Sequence, residues 1–200
     1  MSNIAYSRIQ REIREVVNNK EMELSGINIE ILDDSLTRLR GYIKGPPDSP
    51  YDGGKYVLSI TVPESYPFQP PKVQFETKLW HPNVSSQTGM ICLDILKDQW
   101  AASLTLRTVL LSIQALLATP EPKDPQDAVV AKQLIATPST FEKTARYWAQ
   151  QFAEAPGDKD RDCVSLVGKI MEMGIGQESA IATLSCNGWN LTKATDYLFS

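Results

Sequence analysis

LRGYIKGPPDSPYDGGKYVLSITV, residues 39–62, contains two apolar–polar alternations separated by turn residues. Leu39, Gly41 and Ile43 form the first, and Tyr56, Leu58, Ile60 and Val62 form the second. A period of two is that of a strand with one buried face. Between them, Gly45-Pro46-Pro47-Asp48 supplies a fixed φ and Tyr51-Asp52-Gly53-Gly54 supplies permitted positive φ, so the two strands are expected to pair antiparallel. The same alternation appears once on each side, at Ile27, Ile29 and Ile31 and at Val73 and Phe75. Residues 64–72, with three prolines, are excluded as a central strand because proline has no ladder donor. The expectation is a four-stranded antiparallel meander.

Outward from the sheet the period changes to that of helices. Over residues 3–18, Ala5, Tyr6, Ile9, Ile13, Val16 and Val17 fall on one side of a helical projection, and Arg8, Arg11 and Arg14 fall on the other. That basic face reads either as simply solvated or as a docking surface. From Thr105, the spacing of Leu106, Val109, Leu110, Ile113, Leu116 and Leu117 predicts a core helix that Pro120 and Pro122 end. Helices at about 127–136 and 138–152 follow, the second with Thr137 as its expected cap and Pro138 in its first turn. Residues 153–160, Ala-Glu-Ala-Pro-Gly-Asp-Lys-Asp, are polar and aperiodic and read as a linker. Three short helices are then expected at about 161–172, 177–185 and 191–198. The fold class is α+β: an N-terminal helix, the meander sheet and C-terminal helices as a domain over residues 1–154, a linker over 155–160, and a small three-helix bundle over 161–200.

Composition narrows the function. A chain of 200 residues with 42% hydrophobic content builds a sizeable core, and no apolar run is long enough to cross a bilayer. A net charge of −4 offers no phosphate-neutralising surface, so neither nucleic acid nor membrane is an expected partner. The start of the chain has no leader pattern, and Cys92, Cys163 and Cys186 are an odd number at wide spacing. They point to thiols in a reducing compartment, cytoplasmic or nuclear. With His81 the sole histidine and no closely spaced ligand pairs, no metal site is expected. Nothing reads as a dimer seam, and a monomer is expected.

The segment 77–103 has no period of either kind, and long irregular segments in compact domains are often functional. It contains Trp80-His81-Pro82-Asn83, then Gly89-Met90-Ile91-Cys92-Leu93-Asp94-Ile95-Leu96 and Gln99-Trp100. Taken alone, Cys92 reads either as a small buried hydrophobe or as a nucleophile. Together with Tyr51-Asp52-Gly53-Gly54 and Tyr66-Pro67-Phe68-Gln69-Pro70-Pro71-Lys72, the segment resembles the ubiquitin-conjugating enzymes, and the likeness extends over about residues 3–152. The last forty residues resemble a ubiquitin-associated domain through Met173-Gly174-Ile175, Ala180 to Leu184, Trp189 and Ala194 to Leu198.

That resemblance implies the chemistry. Cys92 would accept ubiquitin as a thioester from an activating enzyme, which itself uses the ATP, and pass it to a lysine amine, with no cofactor bound here. A thiolate attacks an acyl group well and leaves more easily than an alkoxide. Asn83 would donate to the oxyanion of the tetrahedral intermediate or hold the active-site loop. Asp124 reads as the family's acidic gate, which would help deprotonate the lysine, or as a carboxylate near the next helix, for which Asp127 is the better cap. His81 and Pro82 would be structural parts of the loop.

Partner surfaces follow from the same likeness. Arg8 and Arg11, Phe68, and Ala102 in the Trp100–Ser103 loop match the surfaces shown to the activating enzyme and to RING-type ligases, with Ala102 standing where proline is common. Phe68 reads equally as an exposed anchor or as half-buried in its own loop. Met173, Gly174, Ile175 and Leu198 would bind ubiquitin or polyubiquitin, Ile175 replacing the usual aromatic residue. The implied activity is assembly of polyubiquitin chains with ligase help. The competing readings are a non-catalytic ubiquitin-binding adaptor, a thiol hydrolase and a redox sensor.

Overall fold

The computed structural model describes all residues, Met1–Ser200. Helix α1 (Asn3–Val17) is capped by Ser2, whose hydroxyl accepts from the Ala5 N–H. The sheet comprises β1 (Asn28–Ile31), β2 (Arg38–Lys44), β3 (Lys55–Thr61) and β4 (Lys72–Phe75), antiparallel throughout in the order β1-β2-β3-β4. Leu39 lies opposite Ile60 and Gly41 opposite Leu58, so the inward residues of β2 and β3 share one buried face as their alternation predicts.

Helix α3 (Leu106–Ala118) crosses that face, with Leu106, Val109, Leu110, Ile113, Leu116 and Leu117 all buried. Its close approach explains a glycine in the middle of β2. A Cβ at Gly41 would meet Leu110 Cδ2 and Ile60 Cδ1, each at 3.1 Å. Helices α4 (Ala128–Ala136) and α5 (Pro138–Phe152) continue the layer, followed by α6 (Arg161–Glu172), α7 (Gln177–Cys186) and α8 (Leu191–Phe199).

Several expectations change in detail. A short helix α2 (Lys20–Leu24) lies between α1 and the sheet, started by Asn19 Oδ1, which accepts from the N–H groups of Glu21 and Met22 at 2.8 and 3.2 Å. One turn is too short for periodicity to reveal. In α1, Val17 is exposed, whereas Glu12 is buried and receives the Tyr66 hydroxyl at 2.7 Å. Burial raises the carboxyl pKa of Glu12 above its ordinary value. Thr137 precedes α5, but its hydroxyl donates back to the Gln133 carbonyl at 3.2 Å instead of capping the new helix.

Residues 153–160 are irregular, as expected, yet they are strapped to the fold. Ala153 and Ala155 are buried, the Ala153 carbonyl accepts from the Lys55 N–H at 2.7 Å, and Arg146 and Gln150 of α5 hold the carbonyls of Pro156 and Asp158. The C-terminal helices are likewise packed down. Trp148 Nε1 of α5 donates to Ser185 Oγ of α7 at 2.8 Å, and Trp189 Nε1 donates to Thr144 Oγ1 of α5 at 2.9 Å. One continuous apolar cluster runs from Ile9 in α1 to Ala194 in α8. No helix is long and apolar enough to cross a membrane.

Candidate active site around Cys92

Beyond β4 the irregular segment is fixed by single bridges and side-chain bonds. Val84 pairs with Ile91 and Gln74 with Met90, bringing the two arms of the segment together. Gly89 makes this possible, since at φ +76° a Cβ there would collide with the Phe75 carbonyl.

His81 is fully buried, and both ring nitrogens are engaged with backbone. Nδ1 accepts from the Asn83 N–H at 3.0 Å, which leaves Nε2 to donate to the Leu116 carbonyl of α3 at 2.9 Å. Burial pushes its pKa down to about 4, the bond to Leu116 offsetting only part of that effect. The imidazole is a neutral strut with no free nitrogen for Cys92, which removes the His–Cys arrangement that a thiol hydrolase needs. Pro82 contributes its carbonyl, which accepts from the N–H groups of Gln126 and Asp127.

Asn83 is 1% exposed and joins three segments. Its Nδ2 donates to the carbonyls of Glu121 and Asp124 at 2.9 and 3.0 Å, and its Oδ1 accepts from the Glu121 N–H at 2.8 Å. Its own carbonyl accepts from the Cys92 N–H at 2.8 Å. Both amide hydrogens are therefore committed to residues 121–124, and Asn83 sits as the staple between that strap and the cysteine.

Cys92 is half-exposed, and its Sγ lies 3.6 Å from Asp124 Oδ2 and 3.4 Å from Lys97 Nζ. Lys97 and Asp124 themselves stand 4.0 Å apart. The Cys92 sulfur first, and then Asp124, hold the Lys97 ammonium above its ordinary pKa. Lys97 had no signal in the sequence. It reaches the sulfur because the single 3₁₀ turn Asp94–Leu96 folds the chain back after Cys92. Asp127 caps α4 through Val130 and also takes the Ser86 N–H and hydroxyl, at 3.1 and 2.7 Å.

The remaining expected residues divide between open and committed. Phe68 is 81% exposed, so the half-buried alternative falls away, and Trp100 Nε1 donates to the Pro67 carbonyl to join its loop to the one carrying the half-buried Ala102. Arg8 is not on an open basic face. Its guanidinium donates to the Leu104 carbonyl at 2.8 Å, pairs with Glu12 at 3.6 Å and lies 5.5 Å from the Tyr66 ring centroid, whereas Arg11 remains exposed. Met173 and Gly174 are exposed at the end of α6, and Ile175 and Leu198 are half-buried. Cys163 is buried with its thiol pushed up to about 12 by burial and by neighbouring Asp160. No group of His, Cys, Asp or Glu is arranged to hold a metal ion.

Comparison with known proteins agrees with this arrangement. The sequence model described as ubiquitin-conjugating enzyme matches residues 8–149. The Drosophila melanogaster ubiquitin-conjugating enzyme E2-22 kDa is 56% identical over 200 residues, 100% of both chains. The Homo sapiens ubiquitin-conjugating enzyme E2 K is 52% identical over the same full lengths, and Arabidopsis thaliana ubiquitin-conjugating enzyme E2 27 is 48% identical over 98% of this chain and 99% of its own. Among solved structures, a ubiquitin conjugating enzyme E2 domain from Toxoplasma gondii is similar with a TM-score of 0.68 at 48% identity, covering 74% of this chain and 97% of that one. The chain belongs to the ubiquitin-conjugating enzyme family.

Proposed function

We propose that this enzyme carries ubiquitin as a thioester on Cys92 and transfers it to a lysine amine, building polyubiquitin with the help of a ligase. The observation that supports this best is the half-exposed Cys92 thiol with a carboxylate 3.6 Å and an ammonium 3.4 Å away, on a frame whose other polar groups are engaged. In the first step the Cys92 thiolate displaces the activating enzyme's cysteine from the ubiquitin C-terminal carbonyl. In the second, a neutral lysine attacks that carbonyl, the tetrahedral oxyanion collapses, and the Cys92 thiolate leaves. A free lysine titrates near 10.4, so a base must take its proton at neutral pH, and in this reading that base is Asp124, whose Oδ2 lies 3.6 Å from the Cys92 sulfur.

Asn83 acts as the holder of the 121–124 strap and of the Cys92 backbone. Donating to the oxyanion requires it to release one of its two carbonyl partners, an exchange that would stabilise the developing charge.

The catalytic domain is assigned to residues 1–154, the linker to 155–160 and a ubiquitin-associated domain to 161–200. In this reading Met173, Gly174, Ile175 and Leu198 engage ubiquitin, Phe68, Ala102 and Arg11 face the ligase and activating enzyme, and Arg8 braces that surface from beneath. Holding ubiquitin on α6–α8 raises its effective concentration near Cys92. The enzyme acts as a monomer in the cytoplasm or nucleus.

The test is incubation with ubiquitin, activating enzyme and Mg-ATP, resolved on a non-reducing gel. The wild type is expected to form a reductant-sensitive single adduct, Cys92→Ser a reductant-resistant ester, and Cys92→Ala nothing. No adduct on the wild type would favour the non-catalytic adaptor instead.

A further inference from the structure

The seam between α4, α5 and the C-terminal helices ends one residue from the active-site loop. Trp80, immediately before His81, is 1% exposed, and its indole N–H donates to Gln133 Oε1 at 2.8 Å. The other end of the same Gln133 amide donates to the Ser185 carbonyl in the last turn of α7 at 3.0 Å. Ser185 is fully buried, and its hydroxyl accepts from the Trp148 indole and donates to the Ile181 carbonyl at 2.7 Å. The rings of Trp80 and Trp148 lie 5.2 Å apart. Two packed indoles thus both terminate on one residue of the C-terminal helices, Trp148 directly and Trp80 through Gln133.

We infer that Gln133 is a positioning residue that couples the seating of α6–α8 to the geometry of the Cys92 site. This rests on the thioester reading above and deepens it, because it gives the C-terminal helices a second role besides holding ubiquitin. A carboxamide can accept from the indole and donate to the Ser185 carbonyl at the same time, and few other side chains can do both. Losing the Ser185 carbonyl leaves a donor without a partner, and Gln133 then re-aims at the expense of Trp80. Trp80 is covalently joined to His81, and Asn83, two residues further, holds both the Cys92 N–H and the Asp124 carbonyl. Small displacements of reacting groups have large kinetic consequences, so a shift of Trp80 is read out at the thioester. Gln133 also lies in α4, whose N-cap Asp127 grips Ser86 on the far side of the same loop.

The experiment uses the full chain, charged with ubiquitin and chased with free lysine, an acceptor that does not depend on ubiquitin held by α6–α8. Three variants separate the possibilities. Gln133→Leu removes both bonds, Gln133→Glu retains the acceptor for Trp80 but loses the donor to Ser185, and Ser185→Ala keeps the carbonyl and loses the hydroxyl with its bonds to Trp148 and to the Ile181 carbonyl. Expected is a fall of about tenfold in discharge rate at saturating lysine for both Gln133 variants, with the lysine KM, thermal stability well above assay temperature and charging retained. Ser185→Ala is expected to lower the melting temperature while discharging within about twofold of wild type. The Trp80 indole resonance should move in both Gln133 variants. Wild-type discharge by Gln133→Glu would overturn the bridge and leave Gln133 as a mere partner for Trp80. Equal slowing by Ser185→Ala and Gln133→Leu would overturn it in favour of unspecific loosening of the seam. If the wild type charges normally and no variant slows, only this inference fails, whereas a wild type that never charges brings down the thioester reading with it.

Discussion

The cleft at Cys92 and the seam between α5 and α7 are built on opposite principles. In the cleft, Lys97 and Asp124 are 48% and 80% exposed, and they approach a half-open sulfur without being locked to it. In the seam, Trp148, Ser185, Trp189 and Thr144 are buried, and each polar atom there has a partner. A satisfied buried network adds stability and fixes one arrangement, whereas a reactive group must remain free to exchange partners. Behind the open Cys92, Lys97 and Asp124 side chains stand the buried and fully bonded His81 and Asn83.

The sharpest way to break this contrast is to cut into the seam. Trp148→Ala should cost about 3–5 kcal/mol, as loss of a buried aromatic side chain does. Because the apolar cluster is continuous from α1 to α8, the wild type is expected to unfold in one denaturant transition. Two separate wild-type transitions would show that the C-terminal helices are held more loosely than their packing indicates.

The frame behind the cleft is tested by pH. His81 takes up a proton near 6.5 in an unfolded chain but only near 4 in the fold. Its contribution is therefore complete above about 6.5 and is lost as pH falls through that window, reaching about 2–3 kcal/mol by pH 4.5. Chemical denaturation of wild type and His81→Gln at pH 7 and 4.5 measures it. The stability difference between the two proteins should narrow at the lower pH, and a constant difference would mean that the imidazole is not held neutral.

Asp124→Asn probes the open side. Discharge to lysine should fall about tenfold near neutral pH, with the deficit shrinking as pH rises toward the amine's own titration, and stability should be unaltered. A deficit independent of pH would point to positioning by Asp124 and not to proton transfer. The smallest effect is expected at the rim of the seam, where Lys78 Nζ meets Glu178 Oε2 at 2.6 Å. Both side chains are largely exposed, so Lys78→Ala should change stability by about 0.5 kcal/mol or less, and a much larger loss would mean that charge contributes to docking there.

Much of this was legible in advance. The strands, α1, α3 and the three C-terminal helices follow from periods of 2 and 3.6, because burying one face of a regular element imposes its repeat on the chain. Cys92, Asn83 and Asp124 were legible as a set through resemblance, and the structure brings them into one cleft. Lys97 was not, since an isolated lysine in an aperiodic segment looks like any solvated one. Arg8 was misplaced because a helical projection ignores what loops supply, here the Leu104 carbonyl and the Tyr66 ring. The segment 153–160 was recognised as irregular, but its attachment depends on Arg146 and Gln150, whose partners are backbone carbonyls that carry no sequence signal.

The sequence by itself determined the order of the longer elements and most of the residues they bury, and through resemblance it singled out Cys92, because these depend on side-chain chemistry at regular or motif-defined spacing. Only the tertiary structure decided that His81 is a buried strut, that Asn83 is a staple and that α6–α8 are bonded through Gln133 to Trp80. Those roles are set by which donor meets which acceptor across 35 to 53 residues of chain. Such pairings arise from how the elements pack together, which no local pattern encodes.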